Sequence, residues 1–117
     1  MKYLLMLYAD EVAGSKVSEK DIQYYMGQFD AWSAAMEKAG VHNTFQGLHP
    51  TSAATTVRAP KGIKVVTHGP FAETKEQLGG FYLIDAKNLD EAIDWAAKCP
   101  GAQWGSVEIR PVWEAPG

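Results

Sequence analysis

The segment Lys2–Tyr8 is apolar in both of its alternating sets, Tyr3, Leu5, Leu7 and Leu4, Met6, Tyr8; Gly80–Asp85 repeats the pattern with Phe81, Leu83 and Tyr82, Ile84. A β-strand turns successive side chains to opposite faces, so strands of this kind must be covered on both sides. Both segments therefore read as interior strands of a sheet with something packed on each face. Few arrangements of a short chain meet that demand.

The remaining segments supply edges and helices. Asp10, Glu11, Ala13 and Gly14 break the first run and read as a loop. Ser18 with Asp21 three residues on, and Glu19 between them, marks a helix start. Ile22, Tyr25, Met26, Phe29, Trp32, Ser33 and Met36 then recur at spacings of three and four as one apolar stripe, until Gly40 ends the helix with Lys38 near its C-terminal end. Val41–Leu48 alternates Val41, Asn43, Phe45 against His42, Thr44, Gln46, a strand with one polar face, ended by His49-Pro50. Ala54–Arg58 and Ile63–Thr67 flank Ala59-Pro60-Lys61-Gly62, whose Pro and Gly suit a tight turn, so they read as a hairpin at a sheet edge. Asn88 and Glu91 cap a second helix with a buried stripe of Leu89, Ala92, Ile93 and Ala96 and Trp95 at its margin; Pro100-Gly101 ends it. Ser106–Val112 turns Val107 and Ile109 inward and Ser106, Glu108 and Arg110 outward, with Pro111 suited to an edge.

Strand, helix, strand, edge hairpin, strand, helix, strand is the order of an α+β fold, the ferredoxin-like βαββαβ arrangement with an inserted hairpin. Two helices cover one face of such a sheet. The second face needs another cover, and a second copy of the chain is the simplest one. The expectation is a homodimer whose sheets pack face to face, a dimeric α/β barrel.

A chain of 117 residues makes one domain over positions 1–117. A net charge of −3, without clustered Lys or Arg, leaves no electrostatic footprint for nucleic acid or an acidic membrane surface. The apolar run at the N-terminus is too short for a signal peptide, and nothing approaches the ~20 apolar residues of a membrane span. The single cysteine, Cys99, rules out an internal disulfide, and a cytoplasmic setting is the default expectation. There is no phosphate-binding Gly-rich loop, no GxSxG elbow and no dinucleotide fingerprint, and His42 and His49, seven residues apart, lack an acidic partner at ligand spacing, which leaves three scattered histidines a poor metal site. No cofactor and no metal are expected.

The stretch Thr67–Phe81 concentrates turn formers, acids, a base and a histidine between apolar runs. Gly69-Pro70 forces a turn, Phe71 is expected to bury as an anchor, and Glu73, Lys75 and Glu76 project. Gly79-Gly80 permits a bulge or a close backbone approach. A histidine and a carboxylate in one cleft can move protons, so His68 and Glu73 are the candidate catalytic pair, with Glu76 the alternative acid. Arg58 is the candidate anion holder. Facing away from the helices, His42, Thr44 and Gln46 on one side and Ser106, Glu108 and Arg110 on the other would rim an apolar floor, the usual form of a small-molecule cleft. The same residues also fit blander roles: a structural Ω-loop solvated by its charges, and an ion pair of Glu108 with Arg110 on the sheet rim.

The run Gly69-Pro-Phe-Ala-Glu-Thr-Lys-Glu-Gln-Leu-Gly-Gly80 is preceded by Gly47-Leu48, Pro50 and Ala54-Thr-Thr-Val-Arg58 and followed by Gly105-Ser-Val-Glu-Ile-Arg-Pro-Val112. Together they resemble the DGPF-motif branch of the YCII-related proteins, from Met1 to about Val112. The resemblance implies a ferredoxin-like subunit of a dimeric α/β barrel. It also implies a possible association with an extracytoplasmic-function sigma factor, whose genes often neighbour those of the branch. Positions carried over are Arg58, Gly69, Pro70, Phe71, Glu73, Lys75, Glu76, Gly79, Gly80, Glu108 and Arg110. Lys75, Glu76, Glu108 and Arg110 thereby join Arg58 as candidate substrate-binding residues. Two departures stand out: His68 replaces the Asp that names the motif, and Glu19–Gly40 contains no histidine to form the His–Asp pair associated with YCII proteins proper.

Overall fold

The computed structural model describes residues 1–116, Asn43 without its side chain. The elements are β1 (Lys2–Ala9), α1 (Glu11–Gly14), α2 (Glu19–Lys38), β2 (His42–Gly47), β3 (Thr55–Arg58), β4 (Val65–His68), β5 (Gln77–Asp85), α3 (Leu89–Ala97) and β6 (Ser106–Pro111). Short 3-10 turns lie at Thr51–Ala53, Pro60–Gly62 and Pro100–Gln103. The main sheet has four antiparallel strands in the order β2-β5-β1-β6, so the two doubly apolar segments are its interior strands. This is the ferredoxin-like α+β topology. The inserted hairpin forms a separate two-stranded sheet of β3 and β4.

Capping chemistry sets the helix starts. Ser18 Oγ accepts the Asp21 amide at 3.2 Å, and Asn88 Oδ1 accepts that of Glu91 at 3.0 Å. Both helices lie on one sheet face, where Leu5, Ile84, Met36 and Cys99 are the largest fully buried side chains. Trp32 joins the layers: its ring meets Tyr82 edge-on at 4.7 Å, and its indole N–H donates to the Trp95 carbonyl at 3.1 Å.

Several sequence expectations are corrected here. Glu11, Ala13 and Gly14 are no loop: Glu11–Gly14 form the single helical turn α1, capped by the Asp10 carboxylate, which accepts the Val12 and Ala13 amides. The α2 stripe buries only Trp32 and Met36 fully, while Ile22 (44% exposed) and Met26 (61%) overhang the end of the sheet. In α3 the buried residues are Ala92 and Ala96; Trp95 packs against the core, whereas Leu89 and Ile93 stay exposed. A register shift between His42 and Thr44 in β2 places His42 opposite Ile84. His42 therefore lies on the helix face with Phe45, its ring against Tyr82 at 5.9 Å, instead of on the open face. The Asn43 side chain, assigned above to the inward face, lies outside the described residues.

The glycine pair of the motif forms both features open to it. Leu7 pairs with Gly80 and Tyr8 with Leu78, so Gly79 is the extra residue of a bulge. A Cβ on Gly80 would sit 3.0 Å from the Gln46 carbonyl oxygen, so any other residue would push β2 back by a few tenths of an ångström.

The chain is flat, 48 × 47 × 19 Å, with a radius of gyration of 16.3 Å. A compact domain of this length is expected near about 13 Å. The excess comes from a single helix layer on a single sheet and from a hairpin that packs on little but itself. The other sheet face carries Leu4, Met6, Phe81 and Leu83, half-buried by one another, with no described element of the protomer laid across them.

Candidate functional site

Strand parity builds the open face. Leu4, Met6 and Tyr8 of β1 stand beside Phe81 and Leu83 of β5, and the cross-strand partners Tyr8–Ser106, Met6–Glu108 and Leu4–Arg110 bring the outward residues of β6 into the same row. From this row the Tyr8 hydroxyl donates diagonally across the strands to Glu108 Oε1 at 3.1 Å. Burial, and then the hydrogen bond to Glu108, hold the Tyr8 phenol above its usual range, with Arg110 pulling the other way. Glu108 and Arg110 form no ion pair, so the sheet-rim alternative is not what this geometry holds.

The motif loop is tied down by its amides and hydroxyls. Thr74 Oγ1 donates to the Glu76 carbonyl at 2.6 Å, and Gln77 Nε2 donates to the Thr74 carbonyl at 2.6 Å. Gln77 Oε1 accepts the Glu11 amide at 2.9 Å. The Glu11 carboxylate then receives the Thr51 amide at 2.8 Å and the Thr51 hydroxyl at 2.6 Å, which fastens the 3-10 turn after β2. Glu76 Oε1 accepts from Ser106 Oγ at 2.7 Å, joining the loop to β6. At the hairpin base the Gly69 amide donates to the Ala54 carbonyl at 2.7 Å, and Thr56 Oγ1 to the Gly69 carbonyl at 2.9 Å.

Two hollows flank this clasp and share Thr51, Pro70, Ala72, Thr74 and Gln77 as a common wall. One, of about 560 Å³, has Tyr8, Leu48, His49, Phe71 and Leu78 among its lining and is mostly apolar. The other, of about 530 Å³, takes in Glu11, His68 and Glu73. Two further hollows, of about 390 and 380 Å³, lie on the helix side under the overhang of α2; Asp30 is the charged residue of the first and Asp10 of the second.

The sequence candidates thus fall into separate places. His68 and Glu73 line one hollow, both exposed. Glu76 is held in the clasp by Ser106. Glu108 is the partner of Tyr8, and Arg110 lies exposed along the same open face. Lys75 is exposed and lines neither hollow. Arg58 sits at the far end of the hairpin, opposite Val65, while His68 sits at its base opposite Thr55. Three residues of strand, roughly 10 Å, separate those rungs. Phe71 is corrected: it is 78% exposed, because no part of the protomer lies over the tip of the loop to bury it. Sequence reasoning missed Tyr8, His49 and Glu11 as site residues. Tyr8 was within reach, since it shares the parity of Met6 and thus the face of Glu108; the Glu11–Thr51 contact has no local signature.

Among the described residues no group of three or more His, Cys, Asp or Glu side chains is placed to hold a metal ion, and no helix is long and apolar enough to cross a membrane.

A solved structure of similar shape is the 5-chloro-2-hydroxyhydroquinone dehydrochlorinase of Burkholderia phenoliruptrix AC1100 in complex with 2,5-dihydroxybenzoquinone, with 13% identity over 98% of this chain and 96% of that one and a TM-score of 0.49. An uncharacterised protein of Rhizobium meliloti (strain 1021) is 42% identical over 114 residues, 96% of this chain and 92% of that protein. A family model, the YCII-related domain, matches residues 1–116. The chain belongs to the YCII-related domain family.

Proposed function

We propose that the protein binds a small, largely apolar molecule with an ionisable group in the cleft beside the motif loop, and carries out acid–base chemistry on it within a homodimer. The observation that carries this reading is the Tyr8–Glu108 hydrogen bond beside an apolar cleft: a phenol whose donor direction is fixed, at the edge of a hollow of about 560 Å³. A few fixed polar groups in an apolar concavity are what small-molecule sites require. In this reading the ligand lies across the shared wall at Pro70 and Ala72, so that Tyr8 orients one of its oxygens from the first hollow while His68 and Glu73 move protons from the second. Arg110, on the open face beside Tyr8, supplies positive charge to an anionic group, and Arg58 does so from a second copy; Lys75, outside both hollows, touches no ligand in this reading. The motif's other polar residues, Thr74, Glu76 and Gln77, hold the wall between the hollows.

Several observations support the homodimer. Leu4, Met6, Phe81 and Leu83 form an apolar face without a cover among the described residues, and Phe71 of the motif loop is also exposed.

The test is a thermal-shift screen of small planar carboxylates and phenols, followed by titration of the best hit. A ligand at 100 times its Kd stabilises the fold by about 2.7 kcal/mol. Tyr8→Phe and Glu73→Gln are expected to weaken that ligand or stop its turnover. Wild-type binding and turnover in both variants would rule the site out.

A binding module without chemistry is the second reading, whose partner would be a protein such as an extracytoplasmic-function sigma factor. It is favoured by the exposure of Arg58, Glu73 and Lys75, none of which forms an ion pair among the described residues. Capture of such a sigma factor by the wild type but not by a Glu73→Lys, Lys75→Glu variant would support it over the enzyme reading.

A further inference from the structure

The β3–β4 hairpin stands out as an element without support. Its strands pair with each other and with no other strand, and all of β4 is exposed. Val57 (60% exposed), Ile63 (68%), Val65 and Val66 are left in water on an arm that widens the molecule to 48 × 47 Å. A lone two-stranded hairpin is marginally stable at best, and β-branched residues contribute to it only by packing.

Its charge is equally one-sided. Residues 55 to 68 hold Arg58, Lys61 and Lys64, three of the chain's 11 basic residues, and none of its 14 acidic ones. The rest of the chain has 8 basic residues against 14 acidic ones, a balance of −6. The arm is thus basic and the body acidic, but the arm makes little contact with its own body.

We infer that the hairpin is an exchange arm: in the homodimer each copy lays residues 55 to 68 on the body of the other, covering Val57, Ile63, Val65 and Val66 and setting Arg58, Lys61 and Lys64 against acidic surface. A second copy is the occupant that fits, since the sheet-face dimer brings its acidic body within reach of the basic arm. The exchange also explains why Arg58 lies at the far end of the hairpin from His68 and its own cleft: the copy it serves is the other one. The inference rests on the homodimer proposed above and specifies which part of the chain fastens it.

Sedimentation equilibrium on the full chain tests it, comparing the wild type with Val57→Asp/Ile63→Asp and with Arg58→Glu/Lys61→Glu/Lys64→Glu. These side chains are exposed in the protomer, so circular dichroism should be unchanged. The dimer dissociation constant is expected to rise at least about tenfold in each variant, and that of the wild type to rise with salt. Trypsin is expected to cut after Arg58, Lys61 and Lys64 quickly below the dissociation constant and slowly above it. A dimeric wild type whose dissociation constant is unaltered in both variants, with cleavage independent of concentration, would overturn the exchange arm and leave the sheet-face dimer standing. A monomeric wild type would remove both.

Discussion

Gln77→Ala isolates the clasp that holds the motif loop. The Gln77 side chain bridges two segments distant in sequence, accepting from the Glu11 amide at 2.9 Å and donating to the Thr74 carbonyl at 2.6 Å. The first bond is partly buried and worth about 1 kcal/mol; the second is exposed, so water replaces part of it and about 0.5 kcal/mol remains. Truncation should therefore destabilise the fold by about 1.5 kcal/mol, roughly 6 °C in Tm for a domain of this size. Calorimetry at one fixed protein concentration reads the shift, since Tm of an associating protein depends on concentration. Glu73→Gln and Lys75→Ala serve as controls. Both residues project to solvent without partners, so each should move stability by no more than about 0.5 kcal/mol. A Gln77→Ala variant within 1 °C of the wild type, or a Lys75→Ala shift of equal size, would refute the division of the motif into residues that fasten and residues left for a ligand.

Other consequences follow from single contacts. His42 Nε2 is buried without a hydrogen-bond partner while its ring packs on Tyr82 and Phe45, so His42→Phe should be neutral or stabilising by about 1 kcal/mol in urea unfolding. At Gly105 a Cβ would collide with the Tyr8 carbonyl oxygen, so Gly105→Ala should cost about 3 kcal/mol and weaken the β1–β6 pairing, read by hydrogen exchange in β6. Cys99 is 1% exposed and burial pushes its thiol above the ordinary 9.0, so a thiol reagent at pH 8 should label it only when the protein unfolds. As pH rises above 9.0 the unfolded chain loses this proton before the native one does. Stability is therefore complete below that pH and falls as pH climbs toward the native value, a slope that Cys99→Ala should reduce.

The legible part of the fold is the part governed by local period. Tyr3–Tyr8 and Phe81–Ile84 lack a polar set, and that alone marks them as interior strands needing cover on two faces; Ser18 and Asn88 mark the helix starts because a cap is a contact over three residues. The legible part of the site stops at its address. His68, Glu73 and the glycine pair do lie at one end of the sheet, because the turn chemistry of Gly69-Pro70 and the bulge at Gly79 are local. What escaped depends on which distant segments meet. The bulge beside Asn43, which turns His42 inward, has no composition of its own. The contacts Glu11–Thr51, Glu76–Ser106 and Tyr8–Glu108 span 40, 30 and 100 residues and exist only once the sheet order is set. Phe71 and the α2 overhang were misjudged for a related reason: an apolar residue at the right period buries only where the fold places something above it, and a single protomer places nothing there.

The account depends most on the uncovered sheet face. Sedimentation velocity of the wild-type chain at micromolar concentration measures it directly. The predicted result is a single species of twice the 12.8 kDa chain mass, split toward monomer by Met6→Glu, which sets a charge in the middle of the apolar face twice per dimer. A wild-type species of 12.8 kDa that stays monomeric through the micromolar range would contradict it.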